Sequence, residues 1–82
     1  MSLKNISLAT FRDFLRYKGL NLIKTEGGHE KWSKLGMWRP VIIQTHIDPV
    51  PEFIIRNNLG SIGSNRKEFE EWLKQPKKKI SR

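Results

Sequence analysis

The sequence predicts an α+β fold in which a three-stranded antiparallel sheet carries helices on one face. Leu8, Phe11, Phe14 and Leu15 recur at helical spacing. Residues 20–46 divide into three short apolar or β-branched runs separated by glycine-containing turns. Ile54, Ile55 and Leu59, and then Phe69, Trp72 and Leu73, mark two further helical stretches. With 82 residues and 37% hydrophobic content, one domain is expected, over residues 1–75. A chain this short buries only roughly 60% of its unfolded surface, so a deep substrate cavity is not expected.

The first helix begins at Ser7, a plausible N-cap, and is closed by Gly19, with Arg12, Arg16 and Lys18 on or beside its polar side. Leu20 to Thr25 reads as a first strand whose alternation is imperfect, because Leu22 and Ile23 are adjacent. Gly27-Gly28 makes a tight turn into a second strand, His29 to Lys34. Leu35-Gly36-Met37-Trp38 reverses the chain, and Arg39 to His46 reads as the third strand, with Pro40 tolerated near its start. Asp48-Pro49-Val50-Pro51 leads into a short helix from Glu52 to Leu59, ended near Gly60, with Asp48 as a possible cap. Ser61 to Ser64 is expected to be a loop. Asn65 with Glu68 resembles a capping box for a last helix, which Pro76 stops. The segment 76–82 is basic and too polar to pack, so a disordered tail is expected there.

Charge narrows the partners. Sixteen Lys and Arg against eight Asp and Glu give +8, which favours a polyanion or an acidic protein. Lys77, Lys78, Lys79 and Arg82 hold half of that excess, but Lys4, Arg12, Arg16, Lys18, Lys24, Lys31, Lys34 and Arg39 outnumber Asp13, Glu26 and Glu30 in the first 46 residues. The folded part is therefore basic in its own right. There is no cysteine, so disulfides and thiolate metal sites are excluded. No apolar run approaches a signal or membrane-span length, and a soluble, cytoplasmic protein is expected.

Strand parity assigns faces to the polar residues. If Trp32 points to the core, Glu30 and Lys34 share its side, while His29, Lys31 and Ser33 face the other way. Val41, Ile43 and Thr45 form the likelier inner set of the third strand, which sends Ile42, Gln44 and His46 outward. Both histidines then lie on the sheet face away from the helices. Trp32, Trp38 and Trp72 are expected in the core or an interface, Trp38 standing apart at a hairpin tip.

These residues limit the chemistry. No nucleophile elbow is present, and two histidines with unpaired carboxylates do not make a zinc set, so no metal or other cofactor is expected. RNA cleavage asks for less, because the substrate brings its own nucleophile, the 2′-hydroxyl. A histidine, with an unperturbed pKa of about 6.5, moves protons near neutral pH. Neighbouring cations stabilise the phosphorane. His29, with His46 as a possible helper, is the candidate for proton transfer. Lys24, Gly27, Gly28, Lys31 and Gln44 are candidate phosphate or RNA contacts.

The order of elements, with Gly19-Leu20, Gly27-Gly28-His29, Val41-Ile42-Ile43-Gln44-Thr45-His46 and Ile54-Ile55-Arg56, resembles the HicA-type mRNA interferase toxins of bacterial toxin–antitoxin systems. The resemblance covers roughly residues 7 to 73. It implies a small double-stranded-RNA-binding-like α-β-β-β-α domain and metal-independent mRNA cleavage by a turn histidine, here His29. It also implies a HicB-type antitoxin protein as partner. His46 matches a histidine often found at the end of the family's third strand. Gly28 stands where the family commonly has Ser or Thr, and Pro49-Val50-Pro51 replaces its usual entry to the second helix. A last helix and a lysine tail are additions. Two alternatives stay open beside cleavage: a non-catalytic RNA-binding module, and an interaction protein whose basic surface docks an acidic antitoxin.

Overall fold

The computed structural model describes residues 3–75. The tail over 76–82 lies outside the described residues. The elements are α1 (Leu8–Tyr17), β1 (Asn21–Glu26), β2 (His29–Ser33), β3 (Val41–Gln44), α2 (Glu52–Ile62) and α3 (Arg66–Lys74). The strands form one antiparallel sheet in the order β1-β2-β3, so the fold is α+β with the expected succession of one helix, three strands and two helices.

Ser7 caps α1 as expected, its hydroxyl accepting from the Thr10 N–H at 3.0 Å. Asp48 serves the same helix end, not α2: its Oδ1 accepts from the Leu8 N–H at 2.9 Å. The reason lies in the next loop, where the Val50 N–H donates to the Ile6 carbonyl at 2.8 Å and holds the chain against the entry to α1. Pro51 becomes the N-cap of α2 and offers no side-chain hydrogen bond. The expected loop over 61–64 is also shorter. α2 runs through Gly60 and Ser61 to Ile62, because Ile55, Leu59 and Ile62 continue one buried stripe. The helix ends at Gly63, where the Ser64 N–H returns to the Leu59 carbonyl at 2.9 Å.

The uneven pattern of the first strand has a structural cause. Leu22 is paired with Trp32 but Lys24 with Lys31, so one extra residue, Ile23, is inserted opposite β2. This is a β-bulge, and it lets Leu22 and Ile23 be adjacent without reversing the faces of the rest of the strand. Leu20 falls outside β1; it is buried, and its N–H closes the end of α1 on the Leu15 carbonyl at 2.9 Å. β3 is shorter than expected at both ends. It begins after Pro40 and stops at Gln44, where Thr45 and His46 enter a turn.

The core joins Trp32, Val41 and Ile43 of the sheet to Phe11, Phe14 and Leu15 of α1, the α2 stripe, and Phe69 of α3. α3 docks on α1 through aromatic edges: the Phe14 ring centroid lies 4.7 Å from that of Phe69 and 5.1 Å from that of Trp72. Asn65 caps α3 by accepting from the Glu68 N–H at 2.8 Å. The Glu68 carboxylate accepts from Lys18 Nζ, with both oxygens at 3.0 Å, so it ties α3 to the end of α1. Trp32 is buried and Trp72 packs against the core, whereas Trp38 is 95% exposed at the β2–β3 connection. No described helix is long and apolar enough to cross a membrane.

Candidate functional site

The site is built on the Gly27-Gly28 turn. Both glycines have positive φ, +59° and +81°, as a two-residue hairpin loop of the primed type requires. The turn is fixed from the side by the residue that follows β3: Thr45 donates to the Gly28 carbonyl from its N–H at 2.8 Å and from its hydroxyl at 3.2 Å. It delivers His29 as the first residue of β2, between Glu26 of β1 and Gln44 of β3. The next outward row is Lys24, Lys31 and Ile42. Directly paired residues of antiparallel strands project to the same face, so His29, Lys31 and Gln44 share one face, as parity predicts, and the pairing of Lys24 with Lys31 adds Lys24 to it.

His46 departs from that prediction. Because β3 has ended at Gln44, strand parity no longer assigns it a face. Its ring instead lies over the turn: Nδ1 is 3.5 Å from where a Cβ on Gly28 would stand. The hydroxyl-bearing residue common at this position in the resembled family would thus meet His46 at ordinary contact distance, and the obstacle to it is the backbone φ.

The His29 side chain is exposed, and its Nδ1 lies 3.2 Å from the Gly27 carbonyl oxygen. A carbonyl only accepts, so this contact places the proton of the neutral ring on Nδ1 and leaves Nε2 with its lone pair. His29 therefore enters the site with the nitrogen that could take a proton unoccupied by its own backbone.

Lys24 and Lys31 stand opposite each other. Like charges so placed repel and are tolerated where counter-charge is near. Lys24 has such a partner in Glu26, 2.9 Å away on the same strand. Lys31 has no ion pair among the described residues, in common with Lys34, Arg39, Lys67 and Lys74, whereas Arg12, Arg16, Lys18, Arg56 and Arg66 are committed to carboxylates.

The opposite face of β2 shows what a satisfied polar cluster looks like here. Glu30, 7% exposed, faces α1. It accepts two bonds from Arg12, at 3.0 and 2.8 Å, and one from Trp32 Nε1 at 3.0 Å. Arg16 lies 5.2 Å from the Trp32 ring centroid. The hydrogen bonds from Arg12 hold the Glu30 carboxyl below the usual carboxylate range, against the opposing effect of burial, with further help from Trp32 and the charges of Arg12 and Arg16. Sequence reasoning places Glu30 on the core side without supplying this partner.

Two surface grooves meet at His29. One, of about 280 Å³, runs along Lys24, Glu26, Lys31 and Ile42. The other, of about 290 Å³, lies toward the loop before α2 and is walled by Ile42, Gln44, Ile47, Phe53 and Ile54. His29 and Ile42 belong to both. The second groove has no counterpart among the sequence-based candidates. Its signal was present in the helix periodicity: Phe53 stands two residues before Ile55 and so falls off the Ile55-Leu59-Ile62 stripe. Among the described residues no group of three or more His, Cys, Asp or Glu side chains is placed to hold a metal ion.

Set against family models, curated proteins and solved structures, the chain matches none of them.

Proposed function

We propose that this chain is an RNA-cleaving toxin of the HicA type, a metal-independent endoribonuclease on a double-stranded-RNA-binding-like domain. The observation that carries the reading is the junction at His29. An exposed imidazole with its Nε2 lone pair available stands between an unpaired lysine and a groove able to receive a substrate strand. In the proposed reaction Nε2 takes the 2′-hydroxyl proton as that oxygen attacks the adjacent phosphorus. The P–O5′ bond breaks, leaving a 2′,3′-cyclic phosphate and a 5′-hydroxyl. Lys31, helped by Lys24, neutralises the charge that builds on the phosphorane. His46, over the same turn, is the candidate donor to the departing 5′-oxygen, and Gln44 is a further RNA contact beside His29. A HicB-type antitoxin is the expected protein partner, and the cytoplasm the expected compartment.

The experiment is an RNA-cleavage assay with EDTA present, comparing wild type with His29→Ala. General acid–base assistance is worth about 10²- to 10⁴-fold, and a drop of that size at unchanged melting temperature is the expected result. Equal cleavage by the two proteins would sink the proposal. One observation favours a second reading, a non-catalytic RNA-binding module: His29 lines both grooves, whereas His46, beside Gly28, lines neither. Salt-sensitive RNA binding by wild type with the strand left intact would select that alternative.

A further inference from the structure

We infer that the apolar groove beside His29 is a base-binding site of an RNA strand, with Phe53 as its stacking surface. The inference rests on the reading of His29 and Lys31 as the place where an RNA backbone lies.

Eight large hydrophobic side chains are exposed among the described residues, and three of them, Ile42, Ile47 and Phe53, wall this one groove. A clustered exposed apolar patch marks a binding surface, whereas scattered ones do not. Phe53 is 54% exposed although α2 is otherwise packed by its Ile55-Leu59-Ile62 stripe, so it contributes little to the core and is presented to solvent from the first turn of the helix. The groove is too small for a folded segment of protein. Its volume of about 290 Å³ lies just below the range of roughly 300–1,000 Å³ typical of small-molecule sites, which suits one planar ring system.

The surroundings choose the occupant. On one side of His29 lies the Lys24 and Lys31 row, which suits a phosphate; on the other lies the apolar groove, with Gln44 on its wall. A nucleotide has this same division: an anionic phosphate, a sugar between, and a flat base with hydrogen-bonding edges. A strand whose phosphate meets Lys31 and whose base enters the groove carries its sugar past His29. The Gln44 amide can both donate and accept, so it is equipped to bond a base edge. Stacking on Phe53 tolerates any base, so the site adds affinity and register more than strict sequence choice.

The test uses the wild-type chain and a single-stranded 2′-O-methyl oligoribonucleotide, which lacks the 2′-hydroxyl proton and so stays intact, carrying one 2-aminopurine. Binding to wild type is expected to quench the fluorophore as it stacks. Phe53→Ala is expected to bind about 5- to 150-fold more weakly and without quenching, at unchanged melting temperature, and Phe53→Trp to restore both. Equal affinity and quenching in Phe53→Ala would overturn the inference, as would failure of wild type to bind the strand. So would a Phe53→Ala effect confined to self-association in sedimentation, which would assign the groove to a second copy of the chain. Cleavage of unmethylated RNA is measured in parallel. Phe53-dependent quenching with no cleavage removes the catalytic reading and leaves the base site, whereas cleavage that is indifferent to Phe53 removes the base site alone.

Discussion

The two faces of β2 differ in how their polar groups are used. On the inner face Glu30 has three hydrogen bonds and a guanidinium partner. On the outer face, one residue away on each side, His29 has one contact to its own turn and Lys31 has no ion pair among the described residues. A buried polar group without partners would cost several kcal/mol, so the inner cluster is complete because the fold needs it complete. The outer face is wet and bears no such demand. Its groups remain open to a ligand, and mutations on the two faces should therefore separate into those that move activity and those that move stability.

The widest separation is expected between neighbours. His29→Ala should lower RNA cleavage about 10²- to 10⁴-fold while leaving thermal unfolding where it is. Glu30→Gln should do the reverse. It keeps an acceptor for Trp32 but leaves Arg12 half-buried beside a neutral group, and about 3 kcal/mol of stability should go, the lower end of what breaking a buried pair costs. Chemical denaturation of both variants checks the pair. A destabilised His29→Ala protein, or a cleavage-deficient but stable Glu30→Gln protein, breaks the division of the strand.

Acid sharpens the same comparison. The Glu30 carboxyl is lower in the folded protein than its ordinary value of 4.5, chiefly through the Arg12 hydrogen bonds. A depressed carboxyl stabilises the folded state above the unfolded pKa, and that contribution is lost as pH falls through the folded pKa. Wild type should thus lead Glu30→Gln by a constant margin at neutral pH, and the margin should shrink on acidification below about 4.5. A margin that stays constant down to pH 2 would mean that the ion pair does not supply it.

What could be read from the sequence follows the same line between local and distant causes. The succession of elements, the cap at Ser7, and the sidedness of His29, Lys31 and Gln44 depend on spacing within a few residues, and they were legible. Asp48 caps α1 and not α2 because its acceptor role is decided by Leu8, forty positions away, and by the Val50–Ile6 hydrogen bond. His46 escapes strand parity because β3 ends two residues before it. α2 continues past Gly60 because the low helix propensity of that residue is overridden by burial of Ile62. Arg12 as the partner of Glu30, and Phe53 as a wall of the groove, depend on how α1 and α2 lie on the sheet, which no window of the chain contains.

The turn tests how tightly the outer face is held. Gly28→Ser would add the hydroxyl that the resembled family carries, at a φ of +81° that an L-residue adopts at a cost of about 1–2 kcal/mol. Gly27, at +59° with open space around its Cβ position, is a place where Asn fits a primed turn, so Gly27→Asn should be neutral or stabilise by up to about 1 kcal/mol. Thermal melts of the two variants should move in opposite directions or differ by that amount. Equal destabilisation would show that the positive φ the two positions share sets the limit at both, with nothing added by the His46 ring and Thr45, which neighbour Gly28 alone.

The smallest effect separates the two lysines. Lys31→Gln removes the unpaired cation and with it the repulsion from Lys24, so the fold should gain a few tenths of a kcal/mol while RNA binding weakens. The dependence of log K on log salt should become shallower by about 0.7 for one lost single-strand phosphate contact. Glu26→Gln should act in the other direction on binding. It releases Lys24 from its 2.9 Å partner, which makes the salt dependence steeper and the fold slightly less stable, because two unneutralised lysines then face each other. Opposite signs of stability and affinity in each variant are the mark of a face kept open for an anion. If both quantities move together in both variants, the Lys24 and Lys31 row is ordinary surface charge and the phosphate has to be sought elsewhere.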